Sequence, residues 1–256
     1  MTDIHLMKAQ SMIRKPPFKG SGKNDVWFAG ACLAALVIWG IASHADAEEA
    51  EGLKWSANAA VASDYVFRGV SQAEEDAAIS AGFDLTTGAF YAGAWASNVS
   101  FAGDDDTGIE ADLYAGVRPE VGGVNWDFGV VGYLYDEPGA LDYDYVELKA
   151  AASRAIGPAT IGAAVYWSPD FFGAAEDEAT YVEANVALSP ADRWTISGAV
   201  GRQLVSSDLD YTTWNLGATV ALTGTLAFDL RYHDTDEQDF GDAYGRRAVA
   251  GLKATF

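Results

Sequence analysis

Chemistry in this chain would fall to carboxylates and a smaller set of bases, and these occupy two kinds of position. The first set sits at every second residue of apolar–polar segments: Glu110, Asp112, Arg118, Asp127, Glu147, Lys149, Glu183, Asp229 and Arg231, with Arg68 and Arg202 near segment ends. Spacing of two places a side chain on one face of a strand. Acids set against bases across a narrow, wet space would select ions by charge. The same groups could instead close that space as structural ion pairs, and the spacing leaves both options open. The second set is clustered: Asp104-Asp105-Asp106 and Glu176-Asp177-Glu178. Their hard oxygens suit Ca²⁺ or Mg²⁺. Neither run has the spacing of an ordered calcium loop, so a solvated acidic rim is expected and no metal site is assigned. Proton-shuttling catalysis usually needs a histidine. Beyond Ala47 only His233 remains, with Asp229 on the same strand face. A lone histidine is more simply structural, so no enzyme and no cofactor are expected.

The elements that carry these residues are strands. Val182, Ala184, Val186 and Leu188 alternate with Tyr181, Glu183 and Asn185. Ile109, Ala111, Leu113, Ala115 and Val117 alternate with Glu110, Asp112, Tyr114, Gly116 and Arg118. Trp214, Leu216, Ala218, Val220 and Leu222, and then Phe228, Leu230 and Tyr232, repeat the pattern. One apolar and one polar face is what period two encodes. The connections sort into two classes. Short turns fall at Thr87-Gly88, Gly122-Gly123, Gly157-Pro158, Ser189-Pro190 and Thr223-Gly224. Longer acidic segments fall at 71–77, 103–107, 136–144, 168–178, 206–210 and 235–242. Together they separate about twelve strands, with turns at one end and loops at the other. The expected fold is therefore all-β: a transmembrane, antiparallel, up-and-down β-barrel of about 12 strands, preceded by a cleaved signal peptide. A soluble periplasmic β-protein also alternates, but its connections would not sort in this way.

The first 47 residues differ from the rest. Lys8, Arg14, Lys15, Lys19 and Lys23 precede an apolar run from Val26 to Ile41, and Ala45-Asp46-Ala47 follows. That order is a secretory signal peptide. Two regions are thus expected: 1–47 as signal peptide and 48–256 as one barrel domain. The whole chain carries a formal charge of -21, and its single cysteine, Cys32, lies in the apolar run. Strong acidity excludes a nucleic-acid partner, which needs a basic surface.

Aromatic residues cluster at strand ends. Trp55, Phe90, Trp126 and Trp194 lie near the turns, and Phe101, Tyr135, Trp167, Tyr211 and Tyr232 near the loops. Two interfacial girdles would look like this. The last strand ends in Leu252 and Phe256 on its apolar face. That is a pattern suited to the barrel-assembly machinery of an outer membrane.

The segment Ala62-Ser63-Asp64-Tyr65-Val66-Phe67-Arg68-Gly69-Val70-Ser71-Gln72 resembles the TorF-type porin family, the Gcw_chp group of conserved hypothetical outer-membrane proteins. So do Gly82-Phe83-Asp84, the stretch Phe90 to Val99, Glu110 to Gly116 and Tyr143 to Leu148. The resemblance implies an outer-membrane barrel of a Gram-negative bacterium and brings no catalytic residues. The expected partners are outer-membrane lipid, the assembly machinery, and small solutes or ions diffusing passively. The excess of acids points to cation preference. A non-conducting structural or adhesive barrel with cation-binding acidic loops is the alternative.

Overall fold

The computed structural model describes residues 52–256 except 105–106, 137–142, 173–176 and 207. Twelve long antiparallel strands form one sheet: β1 Lys54–Ala62, β2 Ala78–Thr87, β3 Phe90–Asn98, β4 Ile109–Val117, β5 Val124–Tyr135, β6 Tyr145–Ile156, β7 Ala159–Phe171, β8 Asp177–Ala191, β9 Trp194–Leu204, β10 Tyr211–Ala221, β11 Leu226–Thr235 and β12 Arg247–Thr255. Each pairs with its neighbours in sequence, and a two-residue strand, Glu120–Val121, extends the turn before β5. The sheet closes on itself where β1 meets β12, from Asn58 opposite Thr255 to Ala62 opposite Gly251. Ala57 and Phe256 exchange backbone hydrogen bonds of 3.1 and 2.8 Å at the seam.

Alternation sets the two surfaces. Leu113, Leu216, Val186, Val200 and Leu230 all point outward and are exposed. The buried groups inside are polar: Glu110, Asp112, Glu147 and Gln203 are each at most 1% exposed. This inverts a water-soluble protein, and it is the arrangement a spanning barrel needs. The turn-side girdle is present, with Trp55, Phe90, Trp126 and Trp194 all facing out.

The loop-side girdle is only partly as the sequence suggested. Trp167 and Tyr232 face outward. Phe101, Tyr135 and Tyr211 do not. Tyr135 and Tyr211 share the strand parity of Tyr133 and Thr213, which places them inside. Phe101, Tyr135, Tyr143 and Phe172 pack together over the lumen, with centroids 4.7 to 6.0 Å apart. Tyr211 stacks edge-on with Tyr244 at 5.3 Å.

The Ser189-Pro190 turn is a second difference. Strand β8 continues to Ala191, the turn falls at Asp192-Arg193, and the ladder shifts register between Leu188 and Ala191. Strand β7 likewise runs past Pro169, with a shift between Ser168 and Phe171. Proline lacks the N–H that a regular ladder requires, so each strand accommodates it at an irregularity.

The outward assignment carries a test. Leu113→Lys or Leu216→Lys should destabilise the folded barrel in lipid vesicles by ~2–4 kcal/mol. Asn215→Lys, one residue away but facing inward, should cost much less. Denaturant unfolding of the three variants in vesicles measures the difference.

Candidate functional site in the lumen

The connection between β1 and β2 does not project into solvent. Val66–Phe67 and Val70–Ser71 pair as a small hairpin. Its side chains reach inward-facing residues of β4, β6, β7, β8 and β9, so it lies inside the barrel. The turn is Arg68-Gly69, with φ of 46° and 86°. Positive φ at both central residues is the type I′ geometry that suits a two-residue hairpin. Glycine adopts it freely; an arginine there is disfavoured. A side chain at Gly69 would also collide with Thr213 of β10.

Ionic contacts compensate for the strain. Arg68 donates two hydrogen bonds of 2.7 Å to the two carboxylate oxygens of Glu147, and a third of 3.1 Å to Gln203 Oε1. Its guanidinium lies 4.3 to 4.9 Å from the ring centroids of Tyr181, Phe67 and Tyr166. Tyr133 adds a 3.0 Å hydrogen bond to Glu147. The pair is almost wholly enclosed, at 4% and 2% side-chain exposure. Burial alone would make Arg68 easier to deprotonate, and the Glu147 charge more than reverses that, holding its pKa well above the usual arginine value.

Further anchors hold the rest of the segment. Tyr65 donates to Glu110 at 2.9 Å, and Tyr135 donates to the same carboxylate at 3.0 Å. Arg247 of β12 pairs with Asp64 at 3.0 Å and with Glu75 at 3.3 Å, bracketing the hairpin on both sides. Burial raises the pKa of Asp64, and the bonds from Ser71 and Arg247 only partly offset it.

Away from the hairpin the lumen divides in two. One side is filled. Tyr114 lies against Gly93, and Tyr91 against Gly116 and Gly129, each ring seated where a side chain is missing. Asp127 binds Lys149 at 2.7 Å, Arg118 at 3.0 Å and the Tyr91 hydroxyl at 2.7 Å. The other side holds a cavity of about 210 Å³. On β11 it is lined from Ala227 near the turn end to His233 near the loop end, and it touches Asn58, Lys253 and Glu183 as well as Asp64 and Arg68 of the hairpin. It therefore runs along most of that wall.

Each residue singled out from the sequence can now be placed. Glu110, Asp112, Asp127, Glu147, Lys149, Glu183, Asp229 and Arg231 come from inward strand faces. Arg118 lies at the turn-side rim, 3.8 Å over the Tyr91 ring. Arg202 is at the loop-side rim, paired with Asp210 at 3.6 Å. Arg68 lies beyond the end of β1, and the hairpin carries it into the lumen. Asp229 binds Arg231 at 3.2 Å and Thr219 at 2.6 Å, and no hydrogen bond joins it to His233. Asp104 is buried and accepts from Thr107 at 3.0 Å, and Glu178 is exposed. Asp105, Asp106 and Glu176 lie outside the described residues, and only the backbone of Asp177 is described. Among the described residues no group of three or more metal-binding side chains comes together. Leu252 and Phe256 face outward beside the seam. The segment read as a signal peptide, 1–47, lies outside the described residues.

The sequence reasoning also missed lumen charges, among them Asp64, Asp84, Arg247 and Lys253. Parity alone would have found Lys253, since Leu252 and Ala254 face out.

A family model described as a bacterial protein of unknown function (Gcw_chp) matches residues 46–256. No curated protein matches the chain. Among solved structures, the KdgM porin superposes with a TM-score of 0.57 at 7% identity, covering 78% of this chain and 99% of that one. The same figures hold for the KdgM porin in complex with disordered oligogalacturonate. The NanC porin superposes with a TM-score of 0.50 at 8% identity, covering 79% of this chain and 98% of that one. At such identities the likeness is one of fold.

Removing Arg68 would leave Glu147 buried without its cation, a loss of ~3–5 kcal/mol for breaking a buried pair. In Arg68→Ala the hairpin should undock while the barrel stays closed. Residues 48–256 contain no cysteine, so a Val70→Cys reporter can be labelled with a maleimide. Labelling should be at least about a hundredfold faster in the Arg68→Ala background. Arg68→Lys should fall between, because lysine cannot make the forked contact.

Proposed function

We propose that this chain, which belongs to the Gcw_chp family of bacterial proteins of unknown function, is an outer-membrane channel for passive diffusion of small solutes or ions, with the inturned hairpin as its constriction. The observation that carries this reading is the cavity of about 210 Å³ running beside the hairpin along most of the β11 wall. A barrel packed only for structure would fill that side as it fills the other. The fold shared with the KdgM and NanC porins fits the same reading.

Several finer points belong to this proposal. The TorF-type resemblance is one. Others are export to the outer membrane of a Gram-negative bacterium on a cleaved signal peptide, and assembly read from the strand ending in Leu252 and Phe256. Cation preference is a further point. Asp84 is held by the Tyr114 hydroxyl, and Glu183 by Tyr181 and Asn185, so neither carboxylate is hydrogen-bonded to a base. A polyanion such as the oligogalacturonate of the KdgM complex would meet an acidic chain. No catalytic role is proposed, since Asp229, the carboxylate on the strand face of His233, is already engaged by Arg231 and Thr219.

The enclosed Arg68–Glu147 pair favours a second reading, a barrel that the hairpin keeps shut and whose acidic loops bind cations or a surface partner. Planar-bilayer recording of refolded residues 48–256 decides between them. The channel reading expects small, discrete conductance steps. It expects a reversal potential toward the cation side in a KCl gradient. Replacing 65–72 with a Gly-Ser linker should give larger steps. Silence from the intact barrel together with steps from the linker variant would establish the shut barrel.

A further inference from the structure

The ions around the cavity answer one another. Arg68 has Glu147, Asp64 has Arg247, and Asp229 has Arg231. Lys253 has Asp229 diagonally beside it, and the Asp84 charge acts on it. The groups left over are neutral, and three of them gather on the wall made by β1, β2 and β3. Asn58, Gly82 and Trp95 stand in one cross-strand row. Gly82 has no side chain, and its neighbours lean over it. Asn58 Nδ2 lies 2.7 Å, and Trp95 Cδ1 3.0 Å, from the point a Cβ there would occupy. Cδ1 is bonded to the indole nitrogen, so the N–H edge of Trp95 lies beside the Asn58 amide. Ser80 is two residues along β2 on the same face, diagonal to both. Diagonal neighbours of this kind are ~7–8 Å apart. Asn58, Ser80 and Trp95 all line the cavity.

Asn58 Oδ1 is buried with no hydrogen-bond partner among the described residues. The Asn58 Nδ2, the Ser80 hydroxyl and the Trp95 indole N–H form no hydrogen bond with any described residue either. A buried polar group without a partner is costly, and a guest that supplies one recovers that cost. Asn58 offers both an acceptor and donors, Ser80 either, and Trp95 a donor only. An anion would answer the donors alone, and a cation the acceptors alone. A hydroxyl donates and accepts, so adjacent hydroxyls on one small molecule answer the whole set. Trp95 also packs against Tyr65, with centroids 5.5 Å apart, and both rings line the cavity. Their electron-rich faces suit the C–H side of a sugar ring. The cavity is smaller than pockets for drug-sized ligands, which span ~300–1,000 Å³, so the guest is small.

We propose that this wall is a binding site for small neutral polyhydroxylated solutes of monosaccharide size, whose hydroxyls bridge Asn58, Ser80 and the Trp95 N–H. This names the solute class for the channel proposed above and rests on that reading for its role in transport. The binding itself does not depend on conductance.

Saturation-transfer NMR of the refolded barrel, with D-glucose as probe, tests the site. An amine-oxide detergent is used because it carries no sugar headgroup. Glucuronate and glucosamine serve as anionic and cationic controls on the same ring. Glucose should bind more tightly than either control. Asn58→Leu and Trp95→Phe remove polar atoms at similar shape, and each should weaken glucose about two- to tenfold, the worth of a hydrogen bond. Gly82→Ala keeps every polar group but puts a methyl where Asn58 and Trp95 meet, and it should weaken glucose as well. Heat-modifiable migration on gels shows that each variant is folded, and the native-protein ligand series stands even if a variant is not. Absence of glucose binding to a folded barrel overturns the site. So does glucose binding that none of the folded variants weakens. Tighter binding of either charged control means that the ions govern the cavity, and overturns the site too. Single-channel recording with glucose separates the two claims. Conductance without binding leaves the channel and removes the site, whereas binding without conductance leaves the site and removes the channel.

Discussion

Hydrocarbon offers no partner to a backbone amide, and that absence governs the molecule. Every N–H and C=O of a spanning strand must find its partner in another strand, so the sheet has to close. Closure here is made by the pairing of β1 with β12 and by the two bonds between Ala57 and Phe256. Once it is closed, parity is fixed around the ring. A slip of one residue at any seam would turn a row of leucines and valines into the lumen and a row of carboxylates into lipid. The outward Leu113 and inward Asp112 are therefore consequences of one constraint. The ionisable lumen follows from the apolar exterior.

A ring of this size is too wide for its own side chains to meet across the centre, and the chain fills the space in two ways. On one side, tyrosines lie over glycines and a knot of Asp127, Lys149 and Arg118 ties three strands. On the loop side, a hairpin is brought in. Docking that hairpin costs strain at Arg68 and desolvation of a charge. The forked contact with Glu147 and three aromatic faces offset both. A buried ion pair is weak evidence for stability but strong evidence for a defined position, since either partner alone would be left in a poor medium. The hairpin is thus registered more than it is glued.

The strands were legible because a single period describes them. Trp214 to Val220 can be read face by face without any knowledge of neighbours. The connections were less so. Gly122-Gly123 and Thr87-Gly88 declare turns through their residues. Pro190 was read as a turn residue, because local chemistry cannot show that a bulge will absorb it inside a strand. The acidic segments were read as solvated from their charge, and the reading of 71–77 left out the inturned stretch that precedes it. Tyr65, Val66 and Phe67 make an apolar, aromatic stretch where solvent would favour polar residues, and Arg68-Gly69 is a turn pair. Those signals were present, but their partners, Glu147 and Gln203, lie 79 and 135 residues away in the chain. No local pattern links them. Phe101, Tyr135 and Tyr211 failed for a related reason: an aromatic at a strand end was assigned to the lipid girdle by position, when parity assigned two of them inward.

Position in the fold also decides what the charges can do. Parity tells which residues enter the lumen but not which of them neutralise each other, because pairing there crosses strands and reaches the hairpin. Arg247 binds Asp64, which stands 183 residues away in sequence, and so is spent on structure. Lys253, six residues further along and on the same face, is flanked in register by Ala60 and Ala227 and forms no ion pair with a described residue. The same strand therefore supplies one cation that fixes the hairpin and one that faces the space beside it. A net-charge count of the lumen treats them as equal, whereas the geometry separates ions that hold the barrel's interior in place from those without a bonded partner.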